Sequence, residues 1–369
     1  MTSDNTQVLQ STVRSDATLE ISLSEAPMPD PGPDEVVIRV EASPINPSDL
    51  GMLLAGADVS TAQRSGDSLT ASISAGAMAG LAGRVDAPMP VGNEGAGTVV
   101  AVGSSAEAKA LDGKVVAVLA GGMYATHRKV HVSQCLVLAD GTTAEQGASC
   151  FVNPLTALGM VETMQLEGHT ALVHTAAASN LGQMLLRVCL ADDIGLVNIV
   201  RRPEQADLLR GQGATWVCDS SQPSFADDLT TALTETGATI AFDAIGGGDL
   251  VSTILSSMEK AASAGEEFNR YGSNTLKQAY IYGGLDRSKT TLDRTYGMSW
   301  SIGGWLLPNF LARVGEAESS RLRQRVADEI LTTFASSYTD RISLSEALDP
   351  AIVSDYALMA TGQKYLITP

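Results

Sequence analysis

Between Asp34 and Leu138 apolar and polar residues alternate in short runs, DEVVIRVEA, GTVVAVG, KVVAVLA and VHVSQCLVL, separated by Gly, Pro and Asp. Period-two alternation bounded by turn formers predicts strands, so this stretch reads as a β-rich domain. Beyond Asn153 the pattern changes. Apolar runs (TALVHTA, LVNIVR, ATWVCD, TIAFDAI, QAYIYGGL) alternate with segments of helical periodicity (SNLGQMLLRVCLADD, PEQADLLRGQG, FADDLTTALTE, DLVSTILSSMEKAA). Strands buried on both faces and joined by amphipathic helices predict an α/β fold with a doubly wound parallel sheet.

Two segments stand apart. Residues 51–83 are rich in Ala, Ser and Gly and poor in large apolar side chains, which predicts a mobile loop or lid inserted in the β-rich domain. The end of the chain reads as a helix, RLRQRVADEILTTFA, followed by RISLSEAL, DYALMA and KYLITP, with a late strand returning to the first domain. The expected division is 1–155, 156–310 and a C-terminal segment 311–369, with no internal repeat.

Composition narrows the function classes. A chain of 369 residues with 44% hydrophobic content can fill about two cores. The formal net charge of -18 repels nucleic acid and anionic membranes, so neither is an expected partner. The polar start MTSDNTQVLQSTVRSD has no apolar export core, and no run of ~20 uncharged apolar residues occurs, so a cytoplasmic protein is expected. Cys135, Cys150, Cys189 and Cys218 are widely spaced and read as buried or incidental thiols. His127 and His131 would share a helix face, but their alternating surroundings read as strand and the pair as surface histidines.

The stretch ALVHTAAASNLGQMLLRV, from Ala171 to Val188, carries the chemistry. A dinucleotide-binding turn usually reads G-x-G-x-x-G between a strand and a helix, and only Gly182 of that pattern is present. The context compensates: ALVHTA is the first strand of the alternating half and SNLGQMLLRV the helix after it. A phosphate needs backbone N–H groups and a helix N-terminus brought close, which small residues permit. Ala176, Ser179 and Gly182 keep the three-residue spacing, with Ala177 and Ala178 between. At the end of the next strand, NIVRRPEQ places Arg201 and Arg202 where an NAD-specific site carries an acidic residue, about 20 residues on. Guanidinium groups match a phosphate, so the cofactor expected is NADPH; the alternative for the pair is a solvated strand end. Glu204 reads as a residue of the helix start after Pro203.

Eight landmarks in order, ASPINPSDL, VGNEGAGTVVAVG, VNPLTALGM, AASNLGQ, NIVRR, FDAIGG, IYGGL and KYLITP, resemble the medium-chain dehydrogenase/reductase superfamily over nearly the whole chain. Within it, the likeness is to the zinc-independent quinone oxidoreductase and 2-enoyl thioester reductase branch. The resemblance implies a Rossmann domain plus a GroES-like domain. Zinc-dependent members carry Cys where this chain has Pro44 or Ile45, His at the place of Asn93, and a four-cysteine lobe, so no metal site is expected here, and Glu94 is expected to be structural.

Carried over position by position, the resemblance places Asn46 and Thr156 near the nicotinamide and Asn153 close to the cofactor, with Asn46 the candidate for positioning nicotinamide or substrate. Ala178, Ser179, Asn180, Leu181 and Gly182 would wrap the pyrophosphate, and Arg201 and Arg202 the 2'-phosphate. Ala244, Ile245, Gly246, Tyr282, Gly283, Gly284 and Leu285 would line the groove, Trp305 and Leu306 would follow, and Lys364 would reach back from the end of the chain. For Tyr282 the alternative is an ordinary strand-end aromatic, and for Trp300 and Trp305 core packing. No catalytic proton donor is assigned: enoyl thioester reductases place a tyrosine shortly after the NPSD segment, and this chain has none between Asn46 and Met123.

The expected activity is transfer of hydride from NADPH to a small electrophilic acceptor, a quinone or an α,β-unsaturated carbonyl. The alternatives are reduction of a 2-enoyl thioester, against which the acidic charge counts, and a crystallin-like NADPH-binding protein without turnover. A homodimer is the expected assembly.

Overall fold

The computed structural model describes residues 5–369, which form two compact units. One takes the chain up to Val152 together with Arg325–Pro369; the other is Asn153–Gln324.

The first unit is built on two sheets. A five-stranded antiparallel sheet pairs Asn5–Val13 with Thr18–Pro27 in continuous register, Leu9 opposite Leu23 and Val13 opposite Leu19. The second has Glu35–Pro44 at its heart, bonded to Glu94–Val102 and to His127–His131. The final strand, Tyr365–Ile367, adds to the end of the same strand, Leu366 opposite Pro44 and Ile367 opposite Ser43. Alternation sets the packing, because residues two apart on a strand share a face. Val36, Ile38 and Val40 point into one core with Val116 and Val118, and Leu9, Ile21, Leu69 and Ile367 into another.

Residues 51–83 are not a loop. Pro47–Leu53 is a helix, and Asp58–Ser65 with Ser68–Ser72 forms a hairpin turned at Gly66. Its second strand pairs with Thr18–Pro27, Leu69 opposite Ile21, and completes the five-stranded sheet. Leu53, Leu69, Ala71 and Ile73 are buried. The sequence concealed this because Ser, Thr and Asp occupy outward positions and Ala71 an inward one, leaving few bulky residues to mark the strands. The first two strands also lie ahead of Asp34, where strands were not expected.

In the second unit a six-stranded sheet, parallel throughout, runs in the order Trp216–Asp219, Gly195–Val200, Ala171–His174, Ile240–Asp243, Lys277–Ile281, Trp300–Gly304. The first strand in sequence therefore lies in the middle, with the next pairs added on either side. This is the doubly wound order in which the chain reverses direction at the central strand. Helices Asn180–Ala191, Pro203–Gly211, Phe225–Thr236 and Leu250–Ala262 follow the strands, and Leu229, Leu233, Ile254 and Leu255 pack with Val173, Val197 and Ile199 in the core.

Two further elements differ from expectation. The run VNPLTALGM sits on helix Val152–Leu166, buried on most sides and so without an amphipathic signature. The late helix begins at Leu307 and ends at Asp328, seven residues before the apolar pattern suggests, and is interrupted at Gly315, whose φ of 82 lies in the left-handed region. No helix among the described residues is long and apolar enough to cross a membrane.

Candidate functional site

In an open parallel sheet, the strand order reverses at one point and leaves a crevice beyond the carboxyl ends of the two strands there. Here those strands are Ala171–His174 and Ile240–Asp243, and their ends are stitched together. Asp243 accepts the Thr175 hydroxyl at 2.7 Å, and the backbone N–H of Ile245 at 3.0 Å and of Gly246 at 2.8 Å. Thr175 in turn accepts the N–H of Ala244 at 2.8 Å. Four hydrogen bonds thus join these groups and fix the turns carrying Ala176–Ser179 and Ala244–Gly246. Neither Thr175 nor Asp243 was singled out from the sequence, although an acidic residue closing an apolar strand, as in TIAFD, is a readable signal.

The turn after His174 does what the missing glycines would do. Ala176 has φ of 51, a left-handed conformation that a side chain opposes by about 1 to 2 kcal/mol. Ser179 caps helix Asn180–Ala191, its hydroxyl accepting the N–H of Gly182 at 3.1 Å. At Gly182 a Cβ would stand 2.1 Å from the Ala177 carbonyl oxygen, so only glycine allows this approach of helix to turn. Across the crevice, a Cβ on Gly283 would fall 2.6 Å from the Ala244 oxygen, and Gly246 has φ of 83. The Leu285 N–H bonds to that same Ala244 oxygen at 3.1 Å. Small residues and a helix N-terminus converge where a pyrophosphate would sit, so the chain's own backbone fits a dinucleotide.

The remaining candidates of this unit fall in three places. Arg201 and Arg202 follow strand Gly195–Val200 directly and are exposed, with Arg202 at the N-cap and Pro203 opening the next helix. Asn153 and Thr156 lie one turn apart on helix Val152–Leu166, both buried. Tyr282 follows strand Lys277–Ile281 and meets the buried His174, Nε2 to Oη 2.7 Å. Trp305 points into the fold: its indole donates to Thr163 at 3.0 Å and its ring stacks on Phe310, while the neighbouring Leu306 is exposed.

Asn46 and Lys364 belong to a buried cluster in the first unit. Glu94 is fully buried and accepts Asn46 Nδ2 at 2.8 Å together with the N–H groups of Phe151 and Val152 at 2.8 and 2.9 Å. Burial holds its carboxyl above the usual range, opposed by the charge of Lys364 and by those donors. The Lys364 ammonium bonds Ser149 Oγ at 2.8 Å and lies 5.5 Å above the Tyr338 ring; burial lowers it to about 8. Asp49 accepts the N–H groups of Asn46 and Asn93, both at 2.8 Å, and burial raises it to about 7. No set of three or more His, Cys, Asp or Glu side chains gathers at one point among the described residues. The four cysteines are free thiols, three of them buried.

Comparison with known proteins agrees with this construction. Residues 32–152 match the family model of the alcohol dehydrogenase GroES-like domain. The chain is 28% identical to the synaptic vesicle membrane protein VAT-1 homolog of Rattus norvegicus, over 60% of this chain and 49% of that one. It is 29% identical to the mitochondrial enoyl-[acyl-carrier-protein] reductase of Mus musculus, over 50% of this chain and 44% of that one. It thus spans about half the length of the curated relatives it matches. The crystal structure of a protein from Mesorhizobium loti, assigned as an NADPH:quinone reductase, superposes over 100% of both chains with a TM-score of 0.74 at 25% identity.

Proposed function

We infer that this chain, which belongs to the quinone oxidoreductase and enoyl reductase branch of the medium-chain dehydrogenase/reductase superfamily, is a zinc-independent reductase that uses NADPH to reduce a quinone or an α,β-unsaturated carbonyl. The observation that carries this reading is the crevice of the parallel sheet, where a serine-capped helix, a Cβ-free approach at Gly182 and two exposed arginines on the next strand end fall in sequence. Each fits one part of the cofactor: the helix start the pyrophosphate, the guanidinium pair the 2'-phosphate.

The cofactor supplies the hydride, so the side chains need only hold it, exclude water and offer a hydrogen bond to the oxygen where charge develops. In the first unit the buried Glu94 bonds the amide of Asn46, which fixes the orientation of that side chain for the positioning role proposed for it.

The test is anaerobic NADPH oxidation by the purified protein against a benzoquinone, a cyclic enone and crotonyl-CoA, with and without a zinc chelator. Turnover of the quinone or the enone, unchanged by chelator, is expected. Turnover confined to crotonyl-CoA would move the assignment to enoyl thioester reduction, and binding without turnover of any acceptor to a crystallin-like role.

A further inference from the structure

His174 is the last residue of the central strand and is fully buried, while Tyr282 stands two strands away, partly exposed, just before Gly283 and Gly284. Their rings stack, with centroids 5.8 Å apart and planes inclined by 17°, and His174 Nε2 lies 2.7 Å from Tyr282 Oη. A contact of this length between a buried imidazole and a half-buried phenol is a hydrogen bond whose direction matters, because each can donate or accept.

The surroundings decide the direction. Burial lowers His174 to about 3, so the ring is neutral and carries one proton. Among the described residues no group bonds its Nδ1. A proton there would leave a buried N–H with nothing to donate to, whereas a bare Nδ1 leaves only an unused lone pair, which buried structures tolerate more readily. The proton therefore sits on Nε2 and is donated to Tyr282 Oη. Burial and the nearby Asp243 carboxylate push the Tyr282 phenol well above its ordinary range, so its own O–H is retained. Among the described residues no second group bonds the Tyr282 hydroxyl, so that proton is unspent.

We propose that His174 is a positioning residue that, through Nε2–H, holds the Tyr282 phenol so that its hydroxyl donates to an uncharged oxygen of the molecule bound in the crevice, a carbonyl or hydroxyl of the nicotinamide half of the cofactor or the carbonyl of the acceptor. This deepens the reductase reading and rests on it. No proton leaves the protein in this step; the phenol supplies a fixed dipole, which steadies a ligand oxygen and gains strength in a dry crevice.

The test has two parts. Nitrogen NMR of the protein with isotope-labelled histidine needs no cofactor; the chain has only four histidines, and His174→Gln assigns the signal. The Nε2–H tautomer, unchanged from pH 5 to 8, is expected, and an Nδ1–H tautomer or an imidazolium overturns the proposal. NADPH affinity and acceptor KM and kcat are then compared for the unaltered protein, Tyr282→Phe, His174→Phe, the double variant and His174→Gln. Loss of one bond should weaken binding or raise KM roughly five- to tenfold in each single Phe variant. The double variant should be no worse than either, and Gln, whose amide nitrogen can stand near the position of Nε2, should recover most of the loss. A change in NADPH affinity identifies the cofactor as the ligand, and a change in acceptor KM alone the acceptor. Additive losses, or a His174→Phe protein that folds and behaves as the unaltered one, overturn it. Failure of the unaltered protein to bind NADPH would instead remove the functional reading, and the ligand role of Tyr282 with it.

Discussion

The Asn46 amide donates to Glu94 Oε1 at 2.8 Å, and both side chains lie buried against the N–H groups of Phe151 and Val152. One carboxylate thus satisfies three donors and faces the buried Lys364 ammonium. Truncating one member of such a set strands the others, which costs about 3 to 5 kcal/mol. Glu94→Ala should lose that much in urea unfolding, and Glu94→Gln, which keeps one acceptor oxygen, clearly less. Equal stability of Glu94→Ala and the unaltered protein would show that the cluster does not support this unit.

Asp49 gives the same unit a pH dependence of definite sign. Its folded value is raised to about 7, against about 3.9 unfolded, so between these values the native state holds more protons. Stability therefore falls as pH rises from 4 to 7, by about 1.4 kcal/mol for each unit of difference and about 2 to 4 kcal/mol in all. Glu94, also raised, acts in the same sense. Lys364, lowered to about 8, acts above that pH, where stability rises again as the unfolded lysine alone retains its proton. Asp49→Asn should flatten the acid limb and leave the slope due to Glu94, a comparison read from unfolding midpoints across pH 4 to 9.

The turn after the central strand predicts opposite effects at two small residues. Ala176, at φ of 51, pays a left-handed penalty that glycine would not, so Ala176→Gly should stabilise by about 0.5 to 1 kcal/mol. Gly182→Ala places a Cβ 2.1 Å from the Ala177 oxygen and should destabilise by more than about 2 kcal/mol, while lowering NADPH affinity. Thermal unfolding and cofactor titration of the two variants check both signs.

The parts of the fold that could be read were those whose side chains report their burial. ALVH, LVNIV and IAFD are apolar throughout because both faces of a parallel sheet are covered, and they became the three middle-lying strands Ala171–His174, Gly195–Val200 and Ile240–Asp243. The hairpin in 51–83 could not be read in this way, since its outward positions are Ser, Thr and Asp and its inward ones include Ala71. At the site, the Ser179 cap and the close approach at Gly182 were legible because both depend on residue type and spacing. His174 and Tyr282, or Asp243 and Thr175, meet only through the sheet, far apart in sequence. Lys364 was read as a residue reaching toward the cofactor; its ammonium is bonded to Ser149 inside its own unit, a partner that spacing could not disclose.

The hairpin can be tested as a structural element. Leu69 is buried opposite Ile21, and Leu69→Ala removes a core side chain, which should cost about 2 to 4 kcal/mol. A variant whose unfolding midpoint does not move would return residues 51–83 to the status of a dispensable insertion.

The dependence on NADPH is tested most directly by the dissociation constants of NADPH and NADH for the unaltered protein and for the Arg201→Ala, Arg202→Ala double variant. NADPH should bind far more tightly than NADH, and the double variant should lose about 2 to 4 kcal/mol toward NADPH with little change toward NADH, since in the proposed reading only a 2'-phosphate engages both guanidinium groups. Equal affinity of the unaltered protein for the two cofactors, or no loss in the double variant, would contradict it.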